Sequence, residues 1–167
     1  FNELMLNFNK YVDESSVVKG YIKLLGNVKE YKLLLFDILD KKTSFRPPYI
    51  AEGVYTEGSV PKGDFSILPP VFLGKTIQIE GGSVVGPYTV IYNNTLVAEE
   101  SVIKNSVIFN NVFVSSECYI EGSVCCENSS IKRNSAVLSG SVIGSDSLIG
   151  EDIILENNSL VRKNVRY

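Results

Sequence analysis

Three cysteines, Cys118, Cys125 and Cys126, are the most nucleophilic side chains in the sequence. An odd number with an adjacent pair makes no secreted disulfide framework, and no C-x-x-C spacing points to zinc or redox chemistry. Cys118 and Cys126 fit the repeat described below as small apolar filler. Histidine is absent from all 167 residues. Its absence removes the usual general base near neutral pH and the commonest metal ligand. Ser-His and Cys-His nucleophile pairs and His-dependent zinc sites are therefore excluded. The carboxylates Glu99-Glu100, Asp146, Glu151-Asp152 and Glu156 fall at outward or corner positions, which reads as a solvated face. Gly81-Gly82 and Lys62-Gly63 come nearest to phosphate-cradling loops, yet neither G-x-x-x-x-G-K-[ST] nor G-x-G-x-x-G occurs. No residue is assigned a catalytic, cofactor-binding or metal-binding role. Phe109, Phe113, Tyr88, Tyr92 and Tyr119 are expected to be exposed, some of them forming an interaction patch.

Charge and hydropathy narrow the partners. A net charge of -3 without a Lys/Arg run gives no attraction for nucleic-acid phosphates or anionic lipid, so neither is expected as a partner. The longest apolar stretch, Leu33 to Phe36, is far short of the roughly 20 residues of a membrane helix. With no signal region after Phe1 and this cysteine usage, the expected setting is soluble and cytoplasmic. A start at Phe rather than Met suggests a piece of a longer chain. The sequons at Asn93, Asn128 and Asn157 read as polar turns.

The elements that position these groups follow a period of six. Leu73, Ile79, Val85, Ile91, Val97 and Ile103 each open a hexad whose fifth residue is small or β-branched. Ile131, Val137, Ile143, Ile149, Leu155 and Val161 repeat the scheme. Between the blocks the phase slips by one residue twice, giving leading positions at Ile108, Val114, Ile120 and Cys126. A helix needs spacings of three and four, and a hairpin sandwich needs alternation; neither yields six. Three short strands per coil of a parallel β-solenoid do. Leading aliphatics then point inward and stack, as Val85 on Ile103 and Ile120, or Ile79 on Val97. Ser and Thr occupy the crowded inward turn, and Gly, Asn and Asp supply the corners. Ahead of the repeat, Asn27 and Glu30 make a capping box, and Val28, Tyr31, Leu34, Leu35, Ile38 and Leu39 form a stripe, so a helix is predicted over 27–41. That helix is a candidate cap for one end of the column.

The pattern [LIV]-[GAED]-x-x-[STAV]-x, seen in Ile79-Glu80-Gly81-Gly82-Ser83-Val84 and Ile143-Gly144-Ser145-Asp146-Ser147-Leu148, resembles the bacterial hexapeptide-repeat family. The resemblance implies a left-handed parallel β-helix, here a mainly β fold preceded by a short α-helical segment. Acyltransferases with this repeat use a His that the chain lacks, so acyl transfer is not expected. Gly20-Tyr21-Ile22-Lys23-Leu24-Leu25-Gly26-Asn27, with Tyr31 and Asp37-Ile38-Leu39, resembles the closing segment of sugar-1-phosphate nucleotidyltransferase catalytic domains. The runs 79–91 and 105–114 look most like mannose-1-phosphate guanylyltransferase-type proteins. The resemblance implies three parts: a catalytic-domain remnant at 1–46, a linker at 47–70 around Arg46-Pro47-Pro48 and Pro69-Pro70, and a β-helix at 71–167.

The implied parent reaction joins a nucleoside triphosphate and a sugar 1-phosphate into nucleotide sugar and pyrophosphate, with Mg²⁺, through an N-terminal domain missing here. The fragment alone would not catalyse, and its β-helix would serve assembly or regulation as part of a homo-oligomer or against a sister domain. In that family a metal-binding Asp stands where this chain has Leu24. The departure leaves open a weakened parent, a substitute such as Asp13 or Glu14, or a shifted alignment. The alternative is a non-catalytic regulatory or scaffold paralogue.

Overall fold

The computed structural model describes residues 21–167. From Val54 onward, strands of two or three residues follow one another around a three-sided column, each paired in parallel with strands one coil away. The three sheets hold eight, six and five strands, and from Val71 every third strand falls on the same face. The architecture is the parallel β-solenoid expected from the hexads, the left-handed β-helix that the family resemblance implies, with one helix ahead of it.

Register explains the period. Val85, Ile103, Ile120, Val137 and Leu155 form one inward file, and Ile79, Val97, Val114, Ile131 and Ile149 form another. Both files are buried. Complete burial of one such side chain contributes roughly 1.5–3 kcal/mol, so the stack forms the stabilising core.

The third file corrects the sequence reading at the second phase slip. Cys125, not Cys126, pairs with Ile108 and Ile143 and points inward with no exposure, whereas Cys126 is half-buried. The shortened steps are therefore 103–108 and 120–125, and both round the same corner of the column. Coils through them repeat after 17 residues, as from Ser101 to Cys118, where a full coil takes 18, as from Ser83 to Ser101. Adjacent cysteines both satisfy an apolar position, so composition alone did not separate them.

Two residues prepare each inward side chain. Three places ahead of it the backbone is left-handed, as at Asn94, Asn111, Asn128 and Asp146, where φ is 57–58°. Asn, Asp and Gly tolerate that region because short polar side chains bond locally and Gly has no Cβ. Two places ahead sits a buried Ser or Thr in most rows, among them Ser83, Thr89, Ser101, Ser123 and Ser135.

The parallel ladder begins before residue 71. Val54 pairs with Val71, and Ser66 with Val84. The stretch 47–70, expected as a linker, thus supplies opening strands to two faces. Tyr49–Ala51 runs antiparallel to Val54–Thr56 and forms the edge of the eight-stranded sheet.

Helix α1 spans Val28–Leu39. Asn27 Oδ1 accepts the Glu30 N–H at 2.9 Å, and Glu30 Oε2 accepts the Gly26 N–H at 2.6 Å. The reciprocal cap thus closes one residue earlier than a standard capping box. Instead of covering an end of the column, α1 lies along the eight-stranded face. Its Leu35, Phe36 and Leu39 pack over Val90, Val107 and Val124, which are outward-facing yet at most 4% exposed.

Candidate functional site

The groups able to do chemistry are largely committed to the fold. Burial raises the pKa of all three thiols, most strongly at Cys125, which suppresses the nucleophilic thiolate. Ser101 Oγ donates to Ser115 O at 2.8 Å and accepts the Cys118 N–H at 3.1 Å. Ser135 does the same toward Gly150 O and the Ile153 N–H. A hydroxyl donated to a carbonyl and shielded by the next coil is a structural strut, not a nucleophile awaiting a base.

Corner carboxylates have similar duties. Asp146 accepts from Asn128 Nδ2 at 2.9 Å, and Asp152 accepts from Asn134 Nδ2 at 2.7 Å. Glu117 pairs with Arg133 at 2.6 Å. Among the described residues, no three carboxylate or thiol groups gather as a metal site. Gly82, a nearest approach to a phosphate loop, has the Glu100 carboxylate below it, close enough to clash with an added Cβ. A negative group there opposes a phosphate.

The Mg²⁺ implied for the parent finds no ligand at Leu24. That side chain is 86% exposed and offers no oxygen. Nearby, Asp37 Oδ2 accepts from Tyr21 Oη at 2.5 Å and pairs with Lys23 Nζ at 2.7 Å, while its Oδ1 meets Lys42 Nζ at 3.1 Å. Hydrogen bonds from Lys23, Tyr21 and Lys42 hold the Asp37 pKa down to about 2. A carboxylate already matched to two ammonium groups and a phenol is not a hard-cation ligand, so the described residues do not fit Mg²⁺. Asp13 and Glu14 lie outside the described residues.

The aromatic residues form the best-defined surface feature. Tyr92 and Phe109 stack with ring centroids 5.3 Å apart, and Tyr31 of α1 lies over Phe109 at 6.0 Å. The Tyr31 and Tyr92 hydroxyls are 2.9 Å apart. Tyr88 packs against Phe36 at 5.4 Å and donates its hydroxyl to Asp40 Oδ1 at 2.9 Å. Tyr88, Tyr92 and Phe109 are therefore a landing for the chain's own helix. On other faces, Phe113 is 37% exposed beneath the Lys132 ammonium, and Tyr119 donates to Glu121 Oε2 and lies beneath Lys104. Sequence reasoning singled out these rings but not Lys32 on α1. The helical stripe included Tyr31, but nothing in it indicated which face of the column would receive it.

The model described as GMPPB C-terminal domain matches residues 67–166. The chain belongs to this family. The start of the match near residue 67 agrees with strands that join the column ahead of Val71. Solved structures resemble the chain in fold. A hexapeptide transferase family protein from Anaplasma phagocytophilum is 21% identical, with a TM-score of 0.55 over 68% of this chain and 78% of that one. The acetyltransferase domain of PglB from Neisseria gonorrhoeae is 15% identical, with a TM-score of 0.56 over 80% of this chain and 64% of that one. No curated protein matches the chain. Among the described residues no helix is long and apolar enough to cross a membrane.

Proposed function

We propose that this chain is the C-terminal, non-catalytic portion of a sugar-1-phosphate nucleotidyltransferase of mannose-1-phosphate guanylyltransferase type. In this reading the missing N-terminal domain binds nucleotide and sugar phosphate, with Mg²⁺, in the cytoplasm. The β-helix then serves assembly or regulation as part of a homo-oligomer or against a sister domain. The observation that carries this reading is the family match over 67–166, in a chain whose capped helix Val28–Leu39 precedes the matched stretch. Serine hydroxyls bonded to carbonyls and cysteines held as thiols support a scaffold role.

In the full polypeptide, removing residues 67–167 is expected to lower the sedimenting mass by more than the deleted mass while leaving the N-terminal domain folded. An unchanged subunit number after that deletion would remove the assembly role.

A regulatory or scaffold paralogue is favoured by one observation, the exposed Leu24 at the family's metal-Asp position. Leu24→Asp in the full polypeptide separates the two readings. Metal-dependent turnover that appears only in the variant identifies a decayed enzyme, and robust turnover with Leu24 in place identifies an active one. Acyl transfer has no comparable support, because the chain has no histidine and its transferase-named neighbours share only the fold.

A further inference from the structure

The three corners of the column differ in what their side chains do. At one corner Asn94 Nδ2 donates to Asn111 Oδ1, Asn111 Nδ2 to Asn128 Oδ1, and Asn128 Nδ2 to Asp146 Oδ1. At a second, Asn134 Nδ2 donates to Asp152 Oδ1. Amides there are joined into ladders. The corner beside α1 breaks that habit. Its left-handed residues run Tyr88, Asn105, Gly122, Gly140 and Asn158. Among the described residues, the side chains of Asn105, Ser139, Asn157 and Asn158 make no hydrogen bond with the protein.

These free amides and the Ser139 hydroxyl line one wall of a groove of about 960 Å³. The other wall is α1. It brings Lys29 and Lys32 to the groove, over a floor that includes Val124 and Val142. Lys32 donates from Nζ to Gly122 O at 2.5 Å. Neither lysine has a carboxylate partner among the described residues. Burial, then the neighbouring Lys29 charge, pushes the Lys32 pKa down. An ammonium group half out of water, facing a like charge and only a neutral carbonyl, is stabilised by an incoming anion. The glycines keep the notch open: a Cβ at Gly122 would come within 2.6 Å of Ser139 Oγ.

We propose that this groove binds a phosphorylated sugar or polyol. Lys29 and Lys32 take the phosphate oxygens, Asn105, Asn157, Asn158 and Ser139 bond the hydroxyl groups, and the apolar faces of Val124 and Val142 support the carbon skeleton. The volume lies in the range of small-molecule sites. Lysine suits a phosphate as a compact charge, and amides that both donate and accept suit hydroxyl groups. This assignment is independent of nucleotidyl transfer and holds whether or not the parent is active.

The test is titration calorimetry on residues 1–167 with three probes: glucose 6-phosphate, inorganic phosphate and glucose. Glucose 6-phosphate is expected to bind with submillimolar affinity, about tenfold tighter than inorganic phosphate, with glucose silent up to about 10 mM. Lys32→Met is expected to weaken binding by about tenfold, the scale of one charged hydrogen bond. Lys29→Gln, an exposed position whose side chain makes no hydrogen bond among the described residues, should weaken binding about threefold with the fold intact by circular dichroism. No saturable heat with glucose 6-phosphate would overturn the proposal. So would affinity unchanged in Lys29→Gln, or equal affinity for inorganic phosphate, which would make the groove a plain anion site.

Discussion

Ser101 shows how one side chain can link coils. It donates to Ser115 O and accepts the Cys118 N–H, so Ser101→Ala leaves a buried amide without its partner. That loss is expected to cost about 1–3 kcal/mol, read as a lower denaturation midpoint in urea. An unchanged midpoint would show the hydroxyl to be dispensable. Asp37 carries a pH dependence. Its folded pKa of about 2 lies below the ordinary carboxylate value of 3.8, so its contribution is present above that ordinary value and is lost as pH falls toward 2. Acid titration by NMR should show the Tyr21 hydroxyl and Lys23 ammonium contacts to Asp37 being lost in that window, and Asp37→Asn should remove the transition. At this scale the sequence was partly legible. Asn27 and Glu30 announced the cap, but Cys125 and Cys126 were interchangeable by composition. Tyr88 at a left-handed corner, with φ 49°, is held by tertiary contacts with Phe36 and Asp40 that no local rule encodes.

Between elements, the deciding contact is α1 on the eight-stranded face. Strands on all three faces alternate an outward and an inward residue, so the hexads gave Val84 and Val102 the same standing as Val90 and Val107. The helix separates them: the first two stay half-buried on the six-stranded face, and the latter two are covered. Phe109→Ala removes the ring between Tyr31 and Tyr92 and is expected to weaken docking by about 2 kcal/mol, less than a fully buried Phe. Helical circular dichroism should then melt ahead of the β signal; a single coincident transition matching the parent chain would contradict independent docking. Gly86 matters for a different reason. It has φ of 107°, and a Cβ there would fall 1.9 Å from Leu68 O. Gly86→Ala combines backbone strain with a clash against main chain, so a loss of about 3 kcal/mol or more is expected in thermal unfolding.

For the molecule as a whole, the period of six carried the fold because inward aliphatics must stack in files once three strands make a coil. The stretch 47–70 escaped that reading: Val54–Thr56 and Ser66–Ile67 join the column without a repeating hexad to mark them. The groove beside α1 also escaped it, because Lys32 and Asn158 are remote in sequence and meet only when helix and coil pack. Serines that bond carbonyls and thiols whose pKa is raised by burial support the proposal that the solenoid serves assembly or regulation. The most direct check is pyrophosphate release by purified residues 1–167 supplied with Mg²⁺, mannose 1-phosphate and either GTP or ATP. The expected result is release at the level of the protein-free blank, whereas release that rises in proportion to added protein would contradict a non-catalytic domain.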